Sequence, residues 1–199
     1  MIRQTVQNGW YIYCPDFFSQ SEGESFLRYF LRELDWQQED IRLFGKQVKI
    51  PRKEVMFGEE GVSYGYSGKR LATYSFDPKV AQIKSLISQR FGFSFNACLA
   101  NLYRDGQDSN GWHSDDEKEL GKNPVIASVS FGATRKFQLK HKETNERIDL
   151  LLSSGSVLIM GGEMQHFWKH QVPKTLKPVE ARVNLTFRRV EGGNGKLES

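Results

Sequence analysis

The chain is poor in cysteine, in histidine and in long apolar runs, and each shortage narrows what it can be. Cys14 and Cys98 are the only cysteines in 199 residues, which excludes a disulfide framework and a cysteine-rich zinc module. Isolated thiols suit a reducing compartment, so an intracellular protein is expected, cytoplasmic in a bacterium and nuclear in a eukaryote. No stretch has the run of apolar residues that a bilayer span needs, and no membrane association is expected. The opening residues, Met1-Ile2-Arg3-Gln4, lack the apolar run of a signal peptide. Repeats, low-complexity blocks and long linkers are missing too.

What is there suits one soluble domain. Hydrophobic residues make up 38% and charged residues 26%, enough apolar material for a core. A net charge of +4 permits a polyanionic partner without requiring one. Apolar residues recur at helical spacing over Ser19–Trp36 (Phe26, Tyr29, Phe30, Leu31, Leu34) and over Pro78–Phe91 (Val80, Ile83, Leu86, Ile87). From Asn96 the pattern changes to short runs separated by turns: Cys98–Tyr103, Val125–Phe131, Lys136–Leu139, Ile148–Leu152, Val157–Met160, His166–His170 and Arg182–Arg188. This predicts a mainly β protein with flanking helices (α+β), its strands forming a sandwich or jelly roll. The glycine-rich polar tail 191–199 is expected to be disordered.

The four histidines stand at 113, 141, 166 and 170. His113-Ser114-Asp115 places a nitrogen and an oxygen ligand at i and i+2, on one side of an extended segment. A second histidine far downstream completes a 2-His-1-carboxylate set, which holds Fe(II) on one face and leaves other positions open. His170 and His166 both remain candidates for that ligand, four residues apart on an expected strand. His141, between Lys140 and Lys142, reads as a surface residue. On the last run, Arg182, Asn184, Thr186 and Arg188 share one face and Val183, Leu185 and Phe187 the other. That polar face is either solvated or an anion pocket, in which guanidinium groups grip a carboxylate. Beside an iron site, a dicarboxylate that chelates the metal at one end and meets arginine at the other is the better account.

Over Arg42–Arg189 the chain resembles the AlkB family of Fe(II)- and 2-oxoglutarate-dependent nucleic-acid dioxygenases. The likeness is carried by Asn101-Leu102-Tyr103, the stretch to Asp115-Asp116-Glu117, Ala127–Gly132 and the closing pattern Arg182, Asn184, Thr186, Arg188. It implies a double-stranded β-helix (jelly roll) over 96–190, with an N-terminal extension and nucleotide-recognition lid over 1–95, in one compact unit. It assigns iron to His113, Asp115 and His170, and 2-oxoglutarate to Asn101, Tyr103, Arg182, Asn184, Thr186 and Arg188, with O2 as the second co-substrate. His166 matches no ligand position of the family.

The resemblance extends to the lid. Pro51-Arg52-Lys53 and Ser63–Gly68 are similar to base-recognition segments, so Arg52, Tyr64, Tyr66, Ser67 and Asp116 are expected to meet substrate. Tyr66, where family members often carry phenylalanine, would stack a flipped base against His113. Tyr64 would bond the edge of that base, and Asp116 its exocyclic amine. Phe44, in Leu43-Phe44-Gly45-Lys46, is similar to the apolar finger of the duplex-acting branch, which fills the gap left by an extruded base. Lys46, Lys49, Lys53, Lys136, Lys140 and Lys142 are available to phosphates.

The implied activity is oxidative demethylation of bases such as 1-methyladenine and 3-methylcytosine in DNA, duplex or single-stranded, a direct-reversal repair by a monomer. RNA is the alternative substrate. A non-catalytic nucleic-acid-binding or iron-sensing module is the reading from another class.

Overall fold

Alternation of polar and apolar residues along the C-terminal strand sets the plan of the fold. Val183, Leu185 and Phe187 are buried toward one side, while Arg182, Asn184, Thr186 and Arg188 turn to the other. In the computed structural model residues 2–191 are described, apart from 44–45, 63–64, 67–68 and 71; of the remainder of 41–47 and 65–70 only the backbone is described. The N-terminal half carries β1 (Arg3–Val6), β2 (Gly9–Cys14), α1 (Gln20–Glu33), β3 (Asp40–Leu43), β4 (Lys46–Lys49), β5 (Lys53–Gly58), β6 (Gly65–Tyr66), β7 (Lys69–Arg70), β8 (Thr73–Tyr74) and α2 (Pro78–Phe91). The C-terminal half carries β9 (Ala97–Tyr103), β10 (Asn110–His113), β11 (Ile126–Gly132), β12 (Arg135–His141), β13 (Arg147–Leu152), β14 (Ser156–Gly161), α3 (Met164–Phe167), β15 (Trp168–Val172) and β16 (Arg182–Arg188).

Two sheets face each other as in a jelly roll. The larger has eight strands in the order β1-β2-β14-β11-β16-β9-β5-β8, and the smaller four, β10-β15-β12-β13. β3–β4 and β6–β7 are separate hairpins. The central strands of the large sheet, β14, β11, β16 and β9, are buried on both faces. Under the helices, Phe26, Phe30, Val80, Ile83 and Ile87 pack with Cys98, Ala100, Leu102, Val183, Leu185 and Phe187. Between the sheets, Leu99, Ile126, Leu158 and Met160 meet Phe137, Leu139, Leu152 and Trp168. Such double coverage explains why β9 and β14 read as continuous apolar runs rather than alternating ones.

Local chemistry places the helix ends. Ser19 and Glu22 form a reciprocal capping box at the start of α1. The helix stops at Glu33, before the expected Trp36: Leu34 turns extended, and the Trp36 indole folds back to donate to the Phe30 carbonyl at 3.0 Å. Asp77 caps α2, and Gly92, at φ +75°, ends it in a left-handed conformation.

Two expectations need correction. The run His166–His170 is not all strand: Glu163 accepts from the His166 and Phe167 amides, closing one helical turn before β15 begins at Trp168. His141 is not on the surface. It points inward from β12, with Nδ1 accepting from the Glu143 and Thr144 amides and Nε2 bonded to Asn8. Within the first 95 residues, β1, β2, β5 and β8 join the large sheet. The disorder expected for 192–199 concerns residues outside those described.

Candidate active site

Antiparallel pairing of β10 with β15 sets His113 directly opposite His170, with ring centroids 4.2 Å apart. Asp115 follows two residues after His113, and one ligand atom from each of the three lies within 4.8 Å of the others. Local bonds hold this geometry. His113 Nδ1 lies 2.7 Å from the Gly111 carbonyl, which can only accept. Nδ1 therefore carries the proton and Nε2 is left as the ligand atom. The Ser114 hydroxyl donates to the Trp168 carbonyl at 2.8 Å, and the Asp115 amide to Gln165 Oε1 at 3.1 Å. The segment bearing two ligands is thus tied to the segment bearing the third.

Electrostatics keep the ligand atoms in metal-binding form. Burial alone would raise the Asp115 carboxyl, but the Arg188 guanidinium, followed by His170 and His113, holds it well below the usual carboxylate range. Arg188 Nη2 sits 3.0 Å from Asp115 Oδ2, while Oδ1 lies 3.9 Å from His113 Nε2. Burial pushes His170 down to about 3, with His113 acting in the same direction, so its imidazole is neutral at pH 7. Two imidazoles and one carboxylate on one side of an open space are the donor set that suits Fe(II).

That space is a cavity of about 250 Å³ between the sheets, with the three ligands on its wall. Arg182 is at its other end. It is 1% exposed, gives Nη2 to the Ser130 hydroxyl at 2.9 Å, and lies 5.1 Å from the Tyr103 ring. Among the described residues its Nε and Nη1 find no hydrogen-bond partner. Burial lowers this guanidinium to about 10, with Tyr103 opposing, so it stays charged. A buried cation with two open donors is costly unless an anion meets it. A carboxylate fits those donors, and a second carboxylate on the same molecule would reach toward the histidines. The donor sets at the two ends therefore fit Fe(II) and 2-oxoglutarate.

The intervening wall is polar and mostly satisfied. Asn184 Nδ2 donates to the Ser128 hydroxyl at 2.8 Å and the Val129 carbonyl at 3.0 Å, and its Oδ1 accepts from Thr186. Asn101 Oδ1 accepts from Arg52 Nε at 2.9 Å, and Arg52 is 3.6 Å from the buried Glu54.

His113, Asp115, His170, Asn101, Tyr103, Arg182, Asn184, Thr186, Arg188 and Arg52 all line this one cavity. Asp116 does not; it is exposed and lies 3.4 Å from Lys142, while its neighbour Glu117 is on the wall. Phe44, Tyr64 and Ser67 lie outside the described residues, and of Tyr66 only its backbone, in β6, is described. His166 is exposed on α3. Sequence reasoning missed Ser128, Ser130, Glu54 and Gln165. The two serines alternate within an otherwise apolar strand, a signal that was available; Gln165 and Glu54 carry none.

Residues 11–188 match the model of the 2OG-Fe(II) oxygenase superfamily. The bovine alpha-ketoglutarate-dependent dioxygenase alkB homolog 3 is 39% identical over 187 residues, 89% of this chain and 65% of that protein. The bovine DNA oxidative demethylase ALKBH2 is 39% identical over 158 residues, 75% of this chain and 57% of that protein. Mouse ALKBH2 is 34% identical over 184 residues, 87% of this chain and 77% of that protein. The chain thus spans less than two thirds of the two bovine relatives. A solved structure, that of OsALKBH1, superposes with a TM-score of 0.67 at 19% identity, covering 94% of this chain and 100% of that one, a likeness of fold. With the clustered His113, Asp115 and His170 and this match across nearly the whole length, the chain belongs to the AlkB family within the 2OG-Fe(II) oxygenase superfamily.

Proposed function

We propose that the protein is an Fe(II)/2-oxoglutarate-dependent dioxygenase that oxidatively demethylates alkylated bases in DNA, of the 1-methyladenine and 3-methylcytosine type. The observation that carries this is the cavity with the His113–Asp115–His170 cluster on its wall and the unsatisfied Arg182 donors at its other end. The names of the relatives, an alkB homolog dioxygenase and a DNA oxidative demethylase, support the substrate class. One chain carries the whole ligand set, which suits a monomer, and its free thiols suit a reducing compartment.

Fe(II) bound at the three ligands would supply O2 activation and oxidation of the alkyl C–H bond, coupled to decarboxylation of 2-oxoglutarate to succinate. The chain's own groups supply the geometry. Arg182 and Ser130 anchor the distal carboxylate of the co-substrate, and Tyr103 closes over the same guanidinium. Arg188 takes one oxygen of Asp115 and leaves the other for the metal. The target atom of a stacked base is out of reach of a cavity between two sheets, so the nucleotide has to be extruded. Glu117 then offers a carboxylate on the wall to a cationic lesion, and Tyr66, Tyr64, Ser67 and Phe44 keep the roles implied by the resemblance.

The test is mass spectrometry of a duplex oligonucleotide carrying one 1-methyladenine, incubated with protein, Fe(II), ascorbate and 2-oxoglutarate. The expected result is loss of one methyl mass that depends on 2-oxoglutarate. Succinate without methyl loss would reject the substrate and keep the iron site. The same lesion in an RNA strand separates the two polymers.

A further inference from the structure

The outer face of the four-stranded sheet is polar and charged. Residues directly opposite one another across its strands form two adjacent rows. In one, Gln171, Gln138 and Asp149 satisfy each other: Gln171 donates to Gln138 at 2.8 Å, and Gln138 to Asp149 at 3.0 Å, where Lys136 also pairs. In the other, Lys169 faces Lys140, and Lys140 faces Arg147. Among the described residues none of these three cations has a carboxylate at ion-pair distance. Like charges directly opposite in a sheet are destabilising. Edge protection accounts for a cation on β13, an edge strand, but β12 and β15 are interior to the sheet.

The row ends on an aromatic. Trp112 is 37% exposed, and Lys169 Nζ lies 5.8 Å from its ring centroid. Strand alternation turns Trp112 and Lys169 outward, while the next residue on each strand, His113 and His170, faces the cavity. β10 is the other edge of this sheet, and its Asn110, Gly111 and His113 line the cavity. The exposed indole therefore stands on the outer rim of the catalytic site, heading a row of one aromatic and three cations that crosses four strands over about 14 Å.

We propose that this face binds the unpaired nucleic-acid strand flanking the nucleotide in the cavity, with one base stacked on Trp112 and phosphates held by Lys169, Lys140 and Arg147. The occupant follows from the chemistry. Successive phosphates relieve a row of like charges, and an aromatic platform accepts any unpaired base, whereas a paired base offers no free face. The inference rests on the nucleic-acid reading above and adds the surface and the strandedness.

The test is fluorescence anisotropy of the full chain with short, unmodified, labelled oligonucleotides of deoxythymidine and of uridine, over a range of salt. Trp112→Ala should weaken binding about tenfold, and Trp112→Phe should restore most of it. Lys140→Ala combined with Lys169→Ala should flatten the dependence of log affinity on log salt by about 1.4, as expected for two lost phosphate contacts on a single strand. A loss confined to one polymer assigns the surface to that polymer. Strong binding by the wild type that neither variant alters would overturn this surface and leave the demethylase reading standing. No binding by the wild type at low salt would overturn both.

Discussion

Arg182 and Arg188 sit six residues apart on the same face of one strand, both buried in one cavity, yet they are in opposite situations. Arg188 is matched inside the protein, because Asp115 meets it at 3.0 Å. Arg182 donates to a serine hydroxyl and lies against Tyr103, and among the described residues two of its donors have no hydrogen-bond partner. The difference shows how one strand can hold two kinds of buried arginine: one guanidinium pairs with the carboxylate of the His-Asp-His cluster, and the other keeps two open donors.

Removing the shared metal end should have the largest effect. Asp115→Ala should abolish turnover and metal binding and lower stability by about 3–5 kcal/mol, because it strands the Arg188 charge in a buried site. Isothermal titration with Mn(II) and urea unfolding measure the two losses. Arg188→Met comes next. It should weaken metal affinity about 10- to 100-fold, the range for a partner that orients a ligand, and cost stability by leaving the carboxylate unpaired. Arg182→Met should break the symmetry. Stability should be unchanged or improved, since an unsatisfied buried charge is removed, while the KM for 2-oxoglutarate rises about 100-fold. Equal losses of metal affinity in the two arginine variants would erase the distinction.

The pH dependence of the metal-free protein is a smaller effect. His170 is depressed to about 3 in the folded state against 6.5 in the reference, so between those values the unfolded chain binds the extra proton. Stability should be complete above about pH 6.5 and fall as pH drops toward 3, by about 2 kcal/mol between pH 6.5 and 5. His170→Gln should flatten that slope in urea titrations. Smallest is Gln165→Leu, which removes the acceptor of the Asp115 amide; it should lower metal affinity about tenfold with the fold retained.

The sequence showed these regions unequally. β16 was readable to the residue, since a strand with polar residues at every second position admits few arrangements, and α2 was readable over Pro78–Phe91. The two arginines looked equivalent, because the partner that distinguishes them, Asp115, is 73 residues from Arg188 and reaches it only through the fold. His141 was misplaced for a related reason. Flanking lysines suggest solvent, but alternation turns the middle residue of Lys-His-Lys inward. The β1–β2 hairpin passed unnoticed although Trp10 to Cys14 has strand composition, because its identity depends on pairing with β14.

The join between β10 and β15 has a consequence for how the protein would be kept folded. Asp115 and His170 are separated by 170 − 115 = 55 residues and brought together at one point. A divalent ion gripping both would act as a reversible cross-link closing that loop. Chain-entropy reasoning limits the contribution to about 4 kcal/mol. Iron supply would then set the lifetime of the protein as well as its activity, and a chelator should lower its melting temperature before any substrate is present.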